Sequence, residues 1–219
     1  MVLRATTSPS GAAAPASGAA DATSAAAVDA EARVLDAASR LFYERGIQAV
    51  GMDAIRDASG VSLKRLYRLF PAKEQLVEAT LRHREAGVRE QLARATAGGA
   101  PPAERILAIF DLLRDWFDAP GYRGCAYINA YGELSAGSQL VASAVEQHKA
   151  LWRELLGELV AEAGGPPRLA DQLAILVNGA MVTAAITRSP APADDARAAA
   201  EQLLSAELPP GPPGGRPVP

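Results

Sequence analysis

From Val28 to Arg45 the apolar positions Val34, Leu35, Ala38, Leu41 and Phe42 fall at helical spacing, and the run stops at Gly46. That pattern predicts a helix with one buried face and a glycine at its C-terminal cap. Met52, Ile55 and Ala58 repeat it over Met52 to Ser59, where Gly60 supplies a turn. Ser62 can then cap a short third helix running to Phe70, which Pro71 ends. A long helix follows from about Lys73 to Ala97, closed by Gly98, Gly99 and a proline pair. Ala103 to Asp118, Gly124 to Ser135, Gln139 to Ala163, Arg168 to Arg188 and Ala193 to Glu207 read as helices between Pro and Gly breaks. No segment reads as a strand and no internal repeat is found, so the chain is expected to be all-α with about nine helices.

Composition narrows this further. The chain has 219 residues and is 49% hydrophobic, enough to bury a sizeable core. Its single cysteine, Cys125, excludes an internal disulfide framework and suits a reducing compartment. Two distant histidines, His83 and His148, give no metal spacing, so no metal and no cofactor is expected. The longest apolar run, Leu173 to Ile186, is interrupted by Asn178 and Thr183 and is shorter than the roughly 20 residues of a membrane-spanning helix. A cytoplasmic protein without a membrane partner is expected. Residues 1–27 break their alanines with Ser, Pro and Gly and read as a disordered arm rather than a signal peptide.

The formal charge of -3 conceals an asymmetry. Glu31 to Arg94 holds twelve basic and nine acidic residues, against ten and sixteen elsewhere. Only the front of the chain is suited to a polyanion. Its densest basic stretch is the third helix. At about 100° per residue, with Leu63 at zero, Lys64, Arg68 and Arg65 fall at about 100°, about 140° and about 200° and share one face. Leu66 and Phe70 fall at about 300° and about 340°, beside Leu63. Tyr67 is on the border at about 40°, and Leu69 is off the pattern at about 240°. Two short helices joined by a glycine turn, apolar inside and basic outside, are what a helix-turn-helix DNA reader requires. Lys and Arg can donate to guanine in the major groove, and Ser and Tyr hydroxyls can reach phosphates.

The segment RVLDAASRLFYERGIQAVGMDAIRDASGVSLKRLYRLFPAKEQLVEATL, from Arg33 to about Leu81, resembles the DNA-binding domain of TetR-type (TetR/AcrR) transcriptional regulators. The resemblance implies an N-terminal three-helix helix-turn-helix domain at 28–72 and a C-terminal helical ligand-binding and dimerisation domain at 73–207. A disordered arm at 1–27 and a disordered Pro/Gly tail at 208–219 flank them. It also implies double-stranded DNA, a second copy of the chain and a small-molecule effector as partners, and repression from a near-palindromic operator until the effector binds. Carried over by position, the DNA-binding set is Gly51, Met52, Ser62, Lys64, Arg65, Tyr67, Arg68 and Lys73. Ser62 resembles the cap that touches phosphate, Tyr67 the phosphate-contacting tyrosine, and Lys73 the lysine that approaches the backbone. Gly51 and Ala72 stand where the family often has hydroxyl caps, leaving two helix starts weaker or satisfied by other groups. Arg65 and Arg68 replace a commonly small residue and a frequent histidine.

The rest must be argued locally, although YRGCAYINAYGEL resembles a segment of one branch of these regulators. Ile106 to Phe117 is apolar nearly all round, as a central helix should be. Cys125, Asn129 and Glu133 recur four apart beside Tyr127 and Tyr131. They either line a mostly apolar pocket with a few directed polar groups or bond and pack within the protein. The expected effector-binding set is Trp116, Phe117, Cys125, Tyr127, Asn129, Tyr131, Glu133, Trp152, Asn178 and Thr183. Cys125 is either a small buried apolar residue or a redox sensor. Two small-residue stripes, Ala174, Val177, Ala180 and Ala184 with Ala196, Ala199, Ala200, Leu203 and Leu204, either pack against their symmetry mates as a four-helix dimer interface or are buried within one subunit. No nucleophile beside a base, carboxylate pair or phosphate-cradling loop is recognisable, so an enzyme is not expected. A helical adaptor that offers its basic face to an acidic protein is the other class.

Overall fold

A computed structural model describes residues 17–209, with side chains from Val28 onward. Nine helices make up the described residues: α1 (Ser17–Arg45), α2 (Met52–Ser59), α3 (Leu63–Leu69), α4 (Lys73–Ala95), α5 (Pro102–Asp118), α6 (Ala126–Leu134), α7 (Gln139–Glu162), α8 (Pro167–Thr187) and α9 (Ala191–Glu207). Their ends follow the local signals. Gly46 takes φ 86° and Gly60 φ 67°, left-handed values that stop α1 and α2 and that a side chain resists. Pro102, Pro167 and Pro192 lie in the first turns of α5, α8 and α9, where a missing N–H costs nothing.

One boundary differs from the sequence expectation. α1 begins at Ser17, so the arm expected to be disordered over 1–27 is helical from that residue. The alanines of this stretch have the highest helix propensity of any residue, and they extend a helix already anchored downstream. Residues 1–16 and 210–219, which hold the rest of that arm and most of the expected tail, lie outside the described residues.

Two apolar cores organise the chain. The front one joins Val34, Ala38 and Leu41 of α1 to Ile55 of α2 and Leu66 of α3. It does not close at Ala72. Leu76, Val77 and Leu81 of α4, Tyr127 and Ala130 of α6 and Val141 and Val145 of α7 belong to the same cluster. The DNA-binding unit and the helices behind it therefore share packed atoms. The second core is built on α5, whose Ile106, Ile109, Phe110 and Leu113 are fully buried among α7, α8 and α9. α4 reaches from one to the other, with Leu76 in the front cluster and Leu92 in the rear. By length and composition α8 alone among the described helices is apolar enough to cross a membrane, but Leu169, Leu173 and Val177 are packed inside the rear core.

The expected dimer stripes are corrected by this packing. Ala174, Val177, Ala180 and Ala184 of α8 and Ala196, Ala200 and Leu204 of α9 are buried inside the subunit, while Ala199 and Leu203 are half-buried. Small residues allow close approach here as well, but between helices of one chain. The apolar residues α8 leaves outside are Ile175, Val182 and Ile186, at 70%, 39% and 76% exposure.

The α7–α8 turn gives a stability test. A Cβ on Gly165 would lie 2.8 Å from Leu208 Cδ2 and 3.0 Å from Val160 Cγ1, whereas one on Gly157, inside α7, would meet nothing within 4 Å. Gly165→Ala is expected to cost about 1–3 kcal/mol by overpacking. Gly157→Ala should add about 0.5–1 kcal/mol through helix propensity, both read from urea midpoints.

Candidate nucleic-acid interface and cavity

The turn between α2 and α3 sets the groove-facing surface. Ser62 accepts the Arg65 backbone N–H at 3.4 Å and so caps α3, while Leu66 and Phe70 anchor the opposite side in the front core. Lys64, Tyr67 and Arg68 stand exposed and Arg65 is half-buried. Most arginines elsewhere are held in ion pairs, including Arg82 with Glu78, Arg89 with Glu85 and Arg94 with Glu90 along α4. Lys64 and Arg68 have no carboxylate partner among the described residues, so their charge is available to a polyanion.

The remaining expected DNA residues sit less simply. Gly51 is exposed in extended conformation and gives α2 no side-chain cap. Met52 is half-buried against the front core, so its side chain serves packing. The missing hydroxyl at Ala72 is made good in part by Gln75, whose Oε1 accepts the Ala72 N–H at 3.2 Å. Lys73 is half-buried, and desolvation lowers its pKa against an opposing pull from Glu133.

Glu133 is the residue whose role the sequence did not disclose. Its Oε1 accepts the Ile47 N–H at 3.0 Å and its Oε2 the Gln48 N–H at 2.9 Å, just past the end of α1. The Gln48 amide returns a bond to the Glu133 carbonyl at 3.0 Å. Two N–H groups released by the helix stop at Gly46 thus end on one carboxylate from α6, a charge-assisted pair of bonds. The stripe expected to face a ligand accordingly divides. Cys125 lines a cavity, Asn129 donates to the Arg123 carbonyl at 3.0 Å, and Glu133 holds the DNA-binding unit.

The cavity, about 430 Å³, lies between α4, α5, α6 and α7. Trp116, Cys125, Tyr127 and Trp152 of the expected set line it. The other members do not: Phe117 is buried against Tyr122, Tyr131 and Thr183 are exposed, and Asn178 accepts from Lys149 Nζ at 2.7 Å. Tyr43, Arg84, Gln91, Tyr122 and His148 complete the wall and went unforeseen, because they come from helices far apart in the chain. Most phenols and indoles here are already bonded. Tyr43 donates to the Gly124 carbonyl, Tyr122 to Met181, Tyr127 to Leu81 and Trp116 to Gln91. His148, 2% exposed, stacks on Tyr127 with ring centroids 3.4 Å apart, and its Nε2 accepts the Trp152 indole N–H at 3.1 Å. An indole nitrogen only donates, so the His148 proton resides on Nδ1. Burial, with help from Lys149 and Arg89, pushes its pKa down to about 3.

An exposed cationic helix after a glycine turn, packed through a shared core onto a helical unit with an aromatic cavity, defines a helix-turn-helix DNA-binding protein with a C-terminal helical domain. Residues 34–80 match the family described as bacterial regulatory proteins, tetR family, and residues 102–200 match the tetracyclin repressor-like C-terminal domain. A TetR-family transcriptional regulator from Streptomyces coelicolor superposes with a TM-score of 0.77 at 29% identity, over 82% of this chain and 96% of that one. A TetR-type protein from Streptomyces avermitilis gives 0.73 at 30% identity, over 81% and 97%. The HTH-type transcriptional activator FasR of Mycolicibacterium smegmatis is 39% identical over 90 residues, which is 39% of this chain and 40% of FasR. The chain belongs to the TetR family. It is a DNA-binding transcriptional regulator, and its relatives are regulators rather than enzymes.

Removing the Glu133 carboxylate leaves two backbone donors without their partner. Glu133→Ala is expected to cost about 1–3 kcal/mol, with faster amide exchange at Ile47 and Gln48 as the local readout. His148 carries a pH dependence whose sign follows from its lowered pKa. The unfolded chain takes up the proton near pH 6.5 and the folded one near 3, so stability is full above 6.5 and falls as the pH drops between those values. The slope should reach about 1.4 kcal/mol per pH unit at most and should be smaller in His148→Gln, measured by urea midpoints at neutral and mildly acidic pH.

Proposed function

We propose that this regulator is a cytoplasmic homodimeric repressor, released from a near-palindromic operator when a small molecule enters the cavity. One observation carries the reading: α6 and its N-cap Cys125 supply Cys125, Ala126 and Tyr127 to the region of the cavity and, about two turns later, the Glu133 carboxylate to the DNA-binding unit. A ligand that displaces the first end moves the second. α4 provides a parallel route, since Arg84 and Gln91 line the cavity while Leu76 belongs to the front core. An effector that binds better to the arrangement with the wrong recognition-helix separation lowers DNA affinity by its differential affinity for the two states.

The dimer is proposed through the outer face of α8. Ile175, Val182 and Ile186 lie on a single side of the helix, and exposed apolar side chains grouped in this way favour association. A two-fold axis beside α8 and α9 forms a four-helix contact with residues other than the small ones buried inside. Two α3 helices about 34–36 Å apart then read successive major grooves. In this reading Lys64, Arg65 and Arg68 face bases or phosphates, Ser62 and Tyr67 touch phosphate, and Lys73 approaches the backbone.

The test uses duplexes from the DNA upstream of the chain's own gene. Wild-type protein should bind a near-palindrome with affinity that falls steeply with salt, and lower transcription from that template. Arg68→Ala should lose about 1–3 kcal/mol of discrimination between sequences, whereas Lys73→Ala should weaken all sequences alike and reduce the salt slope by about one. Ile186→Asp should sediment as a monomer and lose operator binding. Salt-insensitive binding refutes the DNA interface, a rise in transcript makes the protein an activator, and a dimeric Ile186→Asp moves the interface elsewhere.

A further inference from the structure

The cavity wall has a chemical bias that narrows the ligand. Among the described residues Arg84 is its one cation, half-buried, and no Asp or Glu lines the space. The guanidinium lies 4.7 Å from the centre of the Tyr43 ring and pairs with no carboxylate among the described residues. Aspartates and glutamates neutralise arginines over much of the surface, so a cation left against aromatic walls is unusual.

A second observation is independent of it. His148 Nδ1 is buried, carries the ring proton and has no hydrogen-bond partner. Glu85 Oε2 faces it at 3.5 Å, while Arg89 bonds the other carboxylate oxygen, Oε1, so this donor is turned toward α4. Within the cavity wall Gln91 Oε1 is occupied by the Trp116 N–H. The neighbouring cleft shares Tyr43 and Tyr122 as wall and carries Arg45, Arg123 and Arg188, while its only carboxylate among the described residues is Glu133, committed to Ile47 and Gln48. The charged side chains that line the two spaces are mostly cationic.

Resting on the effector reading above, we propose that the cavity takes an amphipathic organic anion, with an apolar body between Trp116 and Trp152 and a carboxylate or similar oxyanion that answers Arg84. The anion gives the half-buried guanidinium the charged acceptor that the cavity wall lacks. Aromatic walls alone would suit a quaternary ammonium equally well. Arg84 opposes that choice by like-charge repulsion.

Three probes with one body and different heads separate these cases: 4-phenylbutanoate, 4-phenylbutan-1-ol and (4-phenylbutyl)trimethylammonium. The chain has two tryptophans and both line the cavity, so intrinsic fluorescence of the full-length protein reports occupancy directly. The carboxylate is expected to bind about tenfold or more tightly than the alcohol, with the ammonium weakest. In Arg84→Gln the preference for carboxylate over alcohol should shrink to about twofold, and Arg84→Lys should restore part of it. Alcohol or ammonium binding as well as the carboxylate to wild type overturns the anion, whatever the variants do. If such charge-indifferent binding still releases DNA, the effector reading stands alone. If none of the probes changes the fluorescence, both readings fall.

Discussion

A single carboxylate, Glu133, joins the part of this protein that meets DNA to the part that encloses space. When α1 stops at Gly46 it releases two backbone donors at Ile47 and Gln48, and both end on that side chain. A neutral acceptor or water in this place would bond the same two donors more weakly than a charged one does. The carboxylate fixes the end of α6 against the end of α1, and the apolar seam through Tyr127 and Ala130 does the rest. α6 and the base of the helix-turn-helix are thus joined by direct hydrogen bonds.

The same pairing of polar groups explains the cavity. Tyrosines and tryptophans there direct their donors to carbonyls, to Gln91 and to His148, which holds the aromatic wall in place. The charged group left in the wall without a carboxylate among the described residues is Arg84. The front surface has the same logic on a larger scale. Along α4, acids one turn away hold arginines, whereas on α3 Lys64 and Arg68 are left for an external anion.

Much of this is legible in the sequence because it is local. Cap residues, glycine stops and a 3.6-residue period mark the helices within a few positions of where they occur, and the basic face of α3 follows from the angle between neighbouring side chains. The helix-turn-helix can be read from residues adjacent in the chain. The apolar run of α5 also foretells its place, since Ile106, Ile109, Phe110 and Leu113 are buried in the rear core while Asp111, Arg114 and Asp115 form its exposed polar face.

Where sequence and structure part, the answer lies with a neighbour distant in the chain. Asn129 and Glu133 do share one stripe, but a helical period gives only the angle of a side chain and not what occupies the space beside it. Folding sets Cys125 against the cavity and Glu133 against α1. The small residues of α8 and α9 meet the same fate, drawn into the subunit because α5 and α7 cover that side, and Ile175, Val182 and Ile186 are left outside. Composition and periodicity alone determined an all-helical chain with a basic reading helix near its front. Tertiary packing alone decided which polar groups were consumed internally and which remain for a ligand, because hydrogen-bond partners are chosen by proximity in space.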